Sequence, residues 1–246
     1  MKTKIFAHRG ASLLAAENTM PAFQLAMDLK ADGLELDIQK TKDNQIIVTH
    51  DENLKRVTLQ DKKIAETTYA EIKTLNAAAF RENDAETHIP LLEEVLDLIK
   101  STDTDMLLNI ELKNAEVLYP DLENDTLALV REYDLEERVI FSSFNHYSIM
   151  KLLQLGTKAE LAFLYLEGLF EPWKYAKMNR IPSLHPFYPN LMIPDYIKSA
   201  HEAGIKIRPW TVDQAELMQK LIAGGVDALI TNNPKQAVQI RDAIQQ

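Results

Sequence analysis

Residues 33–51 read GLELDIQKTKDNQIIVTHD, and the rest of the chain is best interpreted outward from this stretch. It sets an acidic pair, Glu35 and Asp37, inside an otherwise apolar strand-like run and ends on His50 beside Asp51. Strand side chains alternate with a period of two, so Glu35 and Asp37 leave the same face. Two carboxylates on one face repel unless a cation stands between them, and a divalent metal, an arginine or a lysine would serve. His50 and Asp51 are neighbours, but neighbouring strand residues point apart, so adjacency in sequence does not establish a pairing between them.

The bulk properties narrow the function. The chain has 246 residues, 46% hydrophobic and 26% charged, which suits one large soluble domain or two small ones. No apolar run reaches the roughly 18 residues that span a bilayer. The opening MKTKIFAHRG has an apolar run too short for a signal-peptide core. With no cysteine there is no disulfide, thiolate metal site or cysteine nucleophile, and a reducing cytoplasm is the expected location. A net charge of −10 argues against broad nucleic-acid binding and against attraction to anionic membranes. The expected partner is a small molecule. If that molecule is anionic, it needs a local cationic pocket working against the global field.

Upstream of the opening stretch, residues 4–7 read as a short strand broken at His8-Arg9-Gly10. A helix follows within residues 16–31, with Thr19 as its cap and Pro21 in its first turn. Downstream, 42–44 is a turn and 45–49 an extended arm that delivers His50. Residues 52–88 are irregular and too poor in apolar side chains for a core of their own, so they read as an inserted excursion within a single catalytic domain. From there short apolar strands alternate with helices. Strands are expected at 106–111, 138–141, 158–164, 182–185, 205–208 and 226–230. Helices are expected within 91–99, 118–133, 147–155, 173–178, 194–203, 215–223 and 235–244. About eight strand–helix units make an α/β fold of the TIM (β/α)8 barrel type. A doubly wound sheet is the runner-up, weakened by the lack of a GxGxxG loop after the first strand.

The polar residues fall at the ends of these strands: His8 and Arg9, Glu35 and Asp37, Glu111 with Lys113, His185, Arg208 and Trp210, then Thr231 and Asn232. In a β/α barrel these ends share one mouth, where catalysis occurs. Glu35, Asp37 and Glu111 could be structural acids paired to Arg9 and Lys113. Three inward acids would overload two cations, so a divalent oxygen-ligand site is favoured, holding Mg²⁺ or Ca²⁺. Two nearby histidines leave Mn²⁺ and Zn²⁺ open. His8 and His50 are acid/base candidates, and each alone is as readily a structural histidine or a metal ligand. Arg9 and Lys113 are phosphate contacts or mere charge balance. Glu17 and Asn18 either cap the first helix or reach toward the mouth to hold His8 or the phosphate. Trp210 is either mouth packing or a platform for an aliphatic part of a substrate. His88, His146 and His201 read as loop or helix-surface residues, with the mouth a second place for His146.

Taken together, the ordered segments resemble the glycerophosphodiester phosphodiesterase family, especially its small soluble bacterial members. The matching pieces are His8-Arg9-Gly10, Ala16-Glu17-Asn18-Thr19, the G-x-E-x-D run at 33–37, Thr41-Lys42-Asp43, His50-Asp51, 89–96, Glu111-x-Lys113, Trp210-Thr211-Val212 and Gly225-Val226-Asp227. The resemblance covers nearly the whole chain. It implies a TIM barrel with a small insertion after the second strand. It implies metal-dependent hydrolysis of glycerophosphodiesters, such as glycerophosphocholine or glycerophosphoethanolamine, to glycerol 3-phosphate and an alcohol. By position it implies Glu35, Asp37 and Glu111 as metal ligands, His8 and His50 as the acid/base pair, and Arg9 and Lys113 on the phosphate. Trp210 and His185 would stand near the glycerol. A lysophospholipase D and a non-catalytic phosphodiester-binding barrel are the rival readings. Three positions depart from the family pattern: Ala16 for proline, Asn44 for a turn glycine, and Asn232 for the aspartate of TD-x-P. Asn44 tolerates the same left-handed geometry. Asn232 is expected to remove a charge at the rim without touching a catalytic role.

Overall fold

The computed structural model describes residues 2–102 and 104–245. Among the described residues nine strands form: β1 (Lys4–His8), β2 (Gly33–Lys40), β3 (Ile46–Val48), β4 (Leu107–Leu112), β5 (Val139–Ser143), β6 (Glu160–Tyr165), β7 (Ser183–Pro186), β8 (Lys206–Ile207) and β9 (Ala228–Thr231). Eight of them run parallel in the order β8-β7-β6-β5-β4-β2-β1-β9, and β3 folds back antiparallel onto β2. Single backbone bonds join the two ends of this order. Asp227 N donates to Ile207 O at 3.0 Å, Ile230 N to Pro209 O at 3.0 Å, and Val212 N to Ile230 O at 2.9 Å. The expected (β/α)8 barrel is the fold observed. β8 is shorter than the expected 205–208 because Pro209 has no N–H to extend the ladder.

The parallel strands are buried on both faces, as helices on the outside and side chains on the inside require. All eight residues of β2 are buried. Its Leu34, Leu36 and Ile38 face outward into the main core, with Leu108, Ile110 and Leu112 of β4 beside them. The barrel interior is lined separately by Phe6, Ile140, Ala162, Ala228 and Ile230. The first helix, Met20–Asp28, starts as expected: the Thr19 side chain accepts from Ala22 N and Pro21 lies in the first turn. The helix expected within 118–133 begins only at Leu122, because Pro120 lacks an N–H and Asp121 stands at φ +57°. The helix expected over 194–203 is likewise cut to Tyr196–Glu202 by Asp195 at φ +58°.

The excursion after β3 forms two one-turn helices, Lys55–Thr58 and Tyr69–Ile72, with a 3₁₀ turn at Ile64–Glu66. They close over a small apolar cluster of Leu54, Ile64, Ile72, Ala77 and Ile89 that is anchored on Ile47 of β3. The excursion is therefore built onto the barrel's own strand. Asn44 takes φ +62° in the turn that starts β3, the left-handed geometry expected of it.

One contact makes a glycine obligatory. Gly33 opens β2 opposite Phe6 of β1, and a Cβ there would lie 2.5 Å from Phe6 Cε1 and 2.7 Å from Cδ1. The Phe6 ring is fully buried inside the barrel and has nowhere to retreat. Gly33→Ala is expected to destabilise by about 1–3 kcal/mol, the usual cost of overpacking. Urea unfolding followed by tryptophan fluorescence measures this, and an unchanged midpoint would show that the interior gives way.

Candidate active site

Strand register assembles the centre. His8 of β1 pairs with Glu35 of β2, which pairs with Asn109 of β4. Two residues further along, Asp37 pairs with Glu111, which pairs with Ser142. Two adjacent interior layers at the mouth thus carry three acids, and one oxygen from each of Glu35, Asp37 and Glu111 lies within 4.8 Å of the others. All three side chains are buried.

Two cations answer them. Arg9 donates its backbone N–H to Glu35 Oε2 at 2.9 Å and brings Nε to 3.2 Å from Asp37 Oδ2. It holds φ +56°, a left-handed backbone that costs a non-glycine residue free energy and is found where function over-determines the chain. Lys113 Nζ lies 2.8 Å from Glu111 Oε1 and 3.5 Å from Asp37 Oδ1. Asn18 donates its side-chain amide to Asp37 Oδ2 at 2.9 Å.

The pairing is incomplete. Burial, reinforced by Asp37 and Glu111, pushes the Glu35 carboxyl well above its usual range. Burial also raises Glu111 despite Lys113. Burial works against the Asp37 charge too, but Lys113 and Arg9 outweigh it and hold that carboxyl low. Asp37 Oδ1 is buried with no hydrogen-bond partner among the described residues. An orphaned carboxylate oxygen beside two acids that resist ionisation fits a hard divalent cation on oxygen donors.

The two histidines enter from different elements. His8 ends β1, with Nε2 at 3.9 Å from Glu35 Oε2. Burial and the Arg9 charge lower its pKa to about 4, so its neutral form prevails at neutral pH. His50 arrives on the arm. Thr49 N donates to Asp37 O at 3.0 Å, and the buried Gln39 amide donates to His50 O at 2.8 Å. The pairing that strand parity left open is made: His50 Nδ1 meets Asp51 Oδ1 at 2.7 Å. β3 ends at Val48, so residues 50 and 51 are free of strand alternation.

His8, Arg9, Glu35, His50, Glu111, Lys113 and Trp210 line one cavity, and Asp37 lies at its wall without exposure. His185 does not reach it. It is fully buried in the barrel interior with Arg208 Nη1 at 3.5 Å, and burial plus that charge lower its pKa to about 3. Only its carbonyl contributes, accepting from Trp210 Nε1 at 2.8 Å. Residues 183 and 185 are both fully buried, and the side chain at 185 is taken up by Arg208. Of the other histidines, His88 pairs with Glu94 and His201 with Asp227 on the surface. His146 stacks on Phe163 in a groove beside the cavity.

Several residues escaped the sequence reading. Arg56, from the irregular excursion, donates from Nε to Asp51 Oδ2 at 2.6 Å and from its two terminal nitrogens to Glu17 at 2.7 and 2.8 Å. Glu17 also accepts from Arg9 Nη1 at 2.8 Å, so it bridges two arginines and neither caps the helix nor holds His8. Phe144, just past β5, forms the cavity wall edge-on to Trp210 at 5.4 Å. Asn232 was expected to touch no catalytic role, yet its Oδ1 lies 2.7 Å from His8 Nδ1. No sequence pattern pointed to Arg56. Asn232 was visible as a strand-end residue, but its reach across the β9–β1 seam was not.

The sequence profile of the glycerophosphoryl diester phosphodiesterase family matches residues 8–236. The chain is 44% identical to a glycerophosphodiester phosphodiesterase of Caldanaerobacter subterraneus subsp. tengcongensis, over 98% of both chains. It is 38% identical to a glycerophosphodiester phosphodiesterase of Bacillus altitudinis, again over 98% of both. The chain belongs to the glycerophosphoryl diester phosphodiesterase family. Among solved structures it is similar to an Oleispira antarctica phosphodiesterase in complex with the product sn-glycerol-3-phosphate, at 27% identity and a TM-score of 0.84, covering 98% of this chain and 97% of that one. Among the described residues no helix is long and apolar enough to cross a membrane.

The acid cluster carries a direct test. Adding a divalent ion to chelator-treated protein is expected to raise the unfolding midpoint, with the unfolding free energy increasing by about 2.7 kcal/mol at a hundredfold excess over Kd. Asp37→Asn should abolish the rise. A wild-type midpoint indifferent to divalent ions would remove the cluster as a metal site.

Proposed function

We propose that this chain hydrolyses glycerophosphodiesters to glycerol 3-phosphate and an alcohol, using Glu35, Asp37 and Glu111 for a divalent ion, His8 and His50 for proton transfer, and Arg9 and Lys113 on the phosphate. The observation that carries the reading is the meeting of three acids, two histidines and two cations in one cavity, in a chain of this family. The ligand atoms are hard oxygens, which supports Mg²⁺ or Ca²⁺. When bound, such an ion polarises a phosphoryl oxygen.

The chain's own residues supply the rest. Arg9 and Lys113 draw the phosphodiester in and spread its developing charge. Both histidines are held through Nδ1, His8 by Asn232 and His50 by Asp51, which turns Nε2 toward the reacting group. One imidazole takes the proton of the attacking oxygen as the new P–O bond forms, that oxygen belonging either to water or to the glycerol 2-hydroxyl, whose cyclic phosphate water then opens. The other gives a proton to the alcohol oxygen as the old P–O bond breaks. Trp210, braced by the His185 carbonyl and Phe144, offers its face to the glycerol. Arg56 ties the excursion to the mouth, which supports reading the chain as one catalytic unit with residues 52–88 as an insertion. The lack of cysteine supports a cytoplasmic setting.

A second substrate, a lysophospholipid, is favoured by one observation. Phe144 and Leu164 wall both the cavity and an adjoining groove that continues over Tyr165, Leu169, Phe170 and Tyr175. Phe170 is 92% exposed there, an unusual state for an aromatic side chain unless something apolar covers it.

Glycerol 3-phosphate release from glycerophosphocholine tests the main reading. His8→Ala and His50→Ala are each expected to lower kcat by about 10²–10⁴-fold. Chelator should stop the wild type, and near-wild-type turnover in either variant would refute the pair. Lysophosphatidylcholine run in parallel separates the substrates. A Phe170→Ser variant should raise its KM and leave that of glycerophosphocholine unchanged.

A further inference from the structure

The His8 ring is suspended by a short polar chain that starts outside the cavity. Asp213, in the loop after β8, accepts through Oδ1 from Asn232 N at 2.8 Å and from Thr231 Oγ1 at 3.0 Å. Its Oδ2 accepts from Asn232 Nδ2 at 2.7 Å. These three bonds pin both backbone and side chain of Asn232 where β9 ends. The amide has one donor end and one acceptor end. With Nδ2 committed to a carboxylate, Oδ1 must face the other way, where it lies 2.7 Å from His8 Nδ1 and 2.8 Å from Ser12 Oγ. A flipped amide would set an oxygen against the Asp213 carboxylate at 2.7 Å, which electrostatics forbids. Asn232 Oδ1 can therefore only accept, and Nδ1 of His8 must carry the hydrogen. The remaining nitrogen, Nε2, is left bare on the cavity side, near Glu35.

We propose that Asp213 and Asn232 act as a positioning pair for His8, fixing both the plane of its ring and its Nδ1–H tautomer. This rests on the reading of His8 as a proton-transfer residue. Free imidazole in water favours the opposite tautomer, so the pair works against the ring's own preference, and the second nitrogen's partner decides which form is present. The pair also explains how an asparagine can serve where the family pattern that this sequence resembles has aspartate. The acceptor that His8 needs is an oxygen of either group, and the single negative charge stands one residue further out, on Asp213.

The test uses the full chain, with ring-nitrogen NMR of His8 and steady-state kinetics on glycerophosphocholine. In the wild type at neutral pH, the His8 Nδ1 resonance is expected in the protonated range and Nε2 in the unprotonated range. Asn232→Leu should mix the tautomers and lower kcat about tenfold or more with KM changed less than about threefold, since ring orientation and tautomer govern proton transfer more than binding. Asp213→Ala should move both readouts the same way, and the double variant should be no worse than Asn232→Leu alone, because the two act as one unit. Asn232→Asp alone sets two carboxylates face to face and should be impaired. Asn232→Asp combined with Asp213→Asn restores one donor and one acceptor and should recover the tautomer and most of kcat. An Nε2–H tautomer in the wild type, or an exchange variant no better than Asn232→Asp alone, would overturn the pair. The NMR result stands without turnover, so a protein inactive on glycerophosphocholine but holding the Nδ1–H tautomer would refute the substrate reading and leave the pair intact.

Discussion

Three buried carboxylates that come within 4.8 Å of one another are the constraint around which this barrel is arranged. At that spacing an effective dielectric near 20 gives each ionised pair about 3.5 kcal/mol of repulsion. Register makes the arrangement unavoidable. β1, β2 and β4 are neighbours, β2 carries acids at two successive inward positions, and β4 places Glu111 beside the second of them. A one-residue slip would turn all of these into the helix layer and bring leucines inward. The apolar outer face of β2 is therefore what holds the acids in the mouth. Gly33, which lets β2 pass close to Phe6, belongs to the same requirement.

The counter-charges come from three separate parts of the chain and act jointly. Arg9 sits at the first strand end, Lys113 just beyond the third barrel strand, and Arg56 in the excursion. Arg9, Glu17, Arg56 and Asp51 form an unbroken line of alternating charge along one side of the mouth, and Asp51 in turn meets the His50 ring. Exposed ion pairs contribute little by themselves, but a line of them anchored at the half-buried Arg9 has little freedom to rearrange. It binds the excursion to the first loop and holds His50 through Asp51. The opposite side is organised differently, with His8 resting on a neutral amide. The two imidazoles thus stand across one cavity, one on a carboxylate and one on an amide, and this asymmetry is built in before any substrate arrives.

Much of this was legible in the sequence because it depends on local alternation. Glu35 and Asp37 share a face by parity, and the strand-end placement of His8, Arg9, Glu111, Lys113 and Trp210 follows from a chain of strand–helix units in which strand ends converge. The barrel, the cap at Thr19 and the turn at Asn44 were all readable in the same way. The misses have a common physical origin. His185 sits at a strand end as read, but its side chain is buried against Arg208 of the neighbouring strand's end, a cross-strand contact that no local pattern records. Asn232 acts across the seam between the last strand and the first. Arg56 lies in a segment whose conformation is set by tertiary ion pairs, since its helices are a single turn each. His50 and Asp51 pair because β3 stops two residues earlier than a continuous strand would.

The sign of the cavity's charge connects these observations to chemistry. Glu35, Asp37 and Glu111 against Arg9 and Lys113 leave one net negative charge when all are ionised, which would repel a phosphodiester anion. The protein as a whole carries −10, so its long-range field does not help. Without a further cation, protonating one acid brings the three carboxylates and two cations to neutrality, and Glu35 is the one that burial and its neighbours drive that way. A divalent ion on the three carboxylates would reverse the sign to one net positive while keeping every acid ionised. Surface acids more than about 8–10 Å away are screened by salt, so the substrate meets mainly this local field. The same three carboxylates that repel one another would thus, on the proposed reading, tie phosphate binding to cation binding.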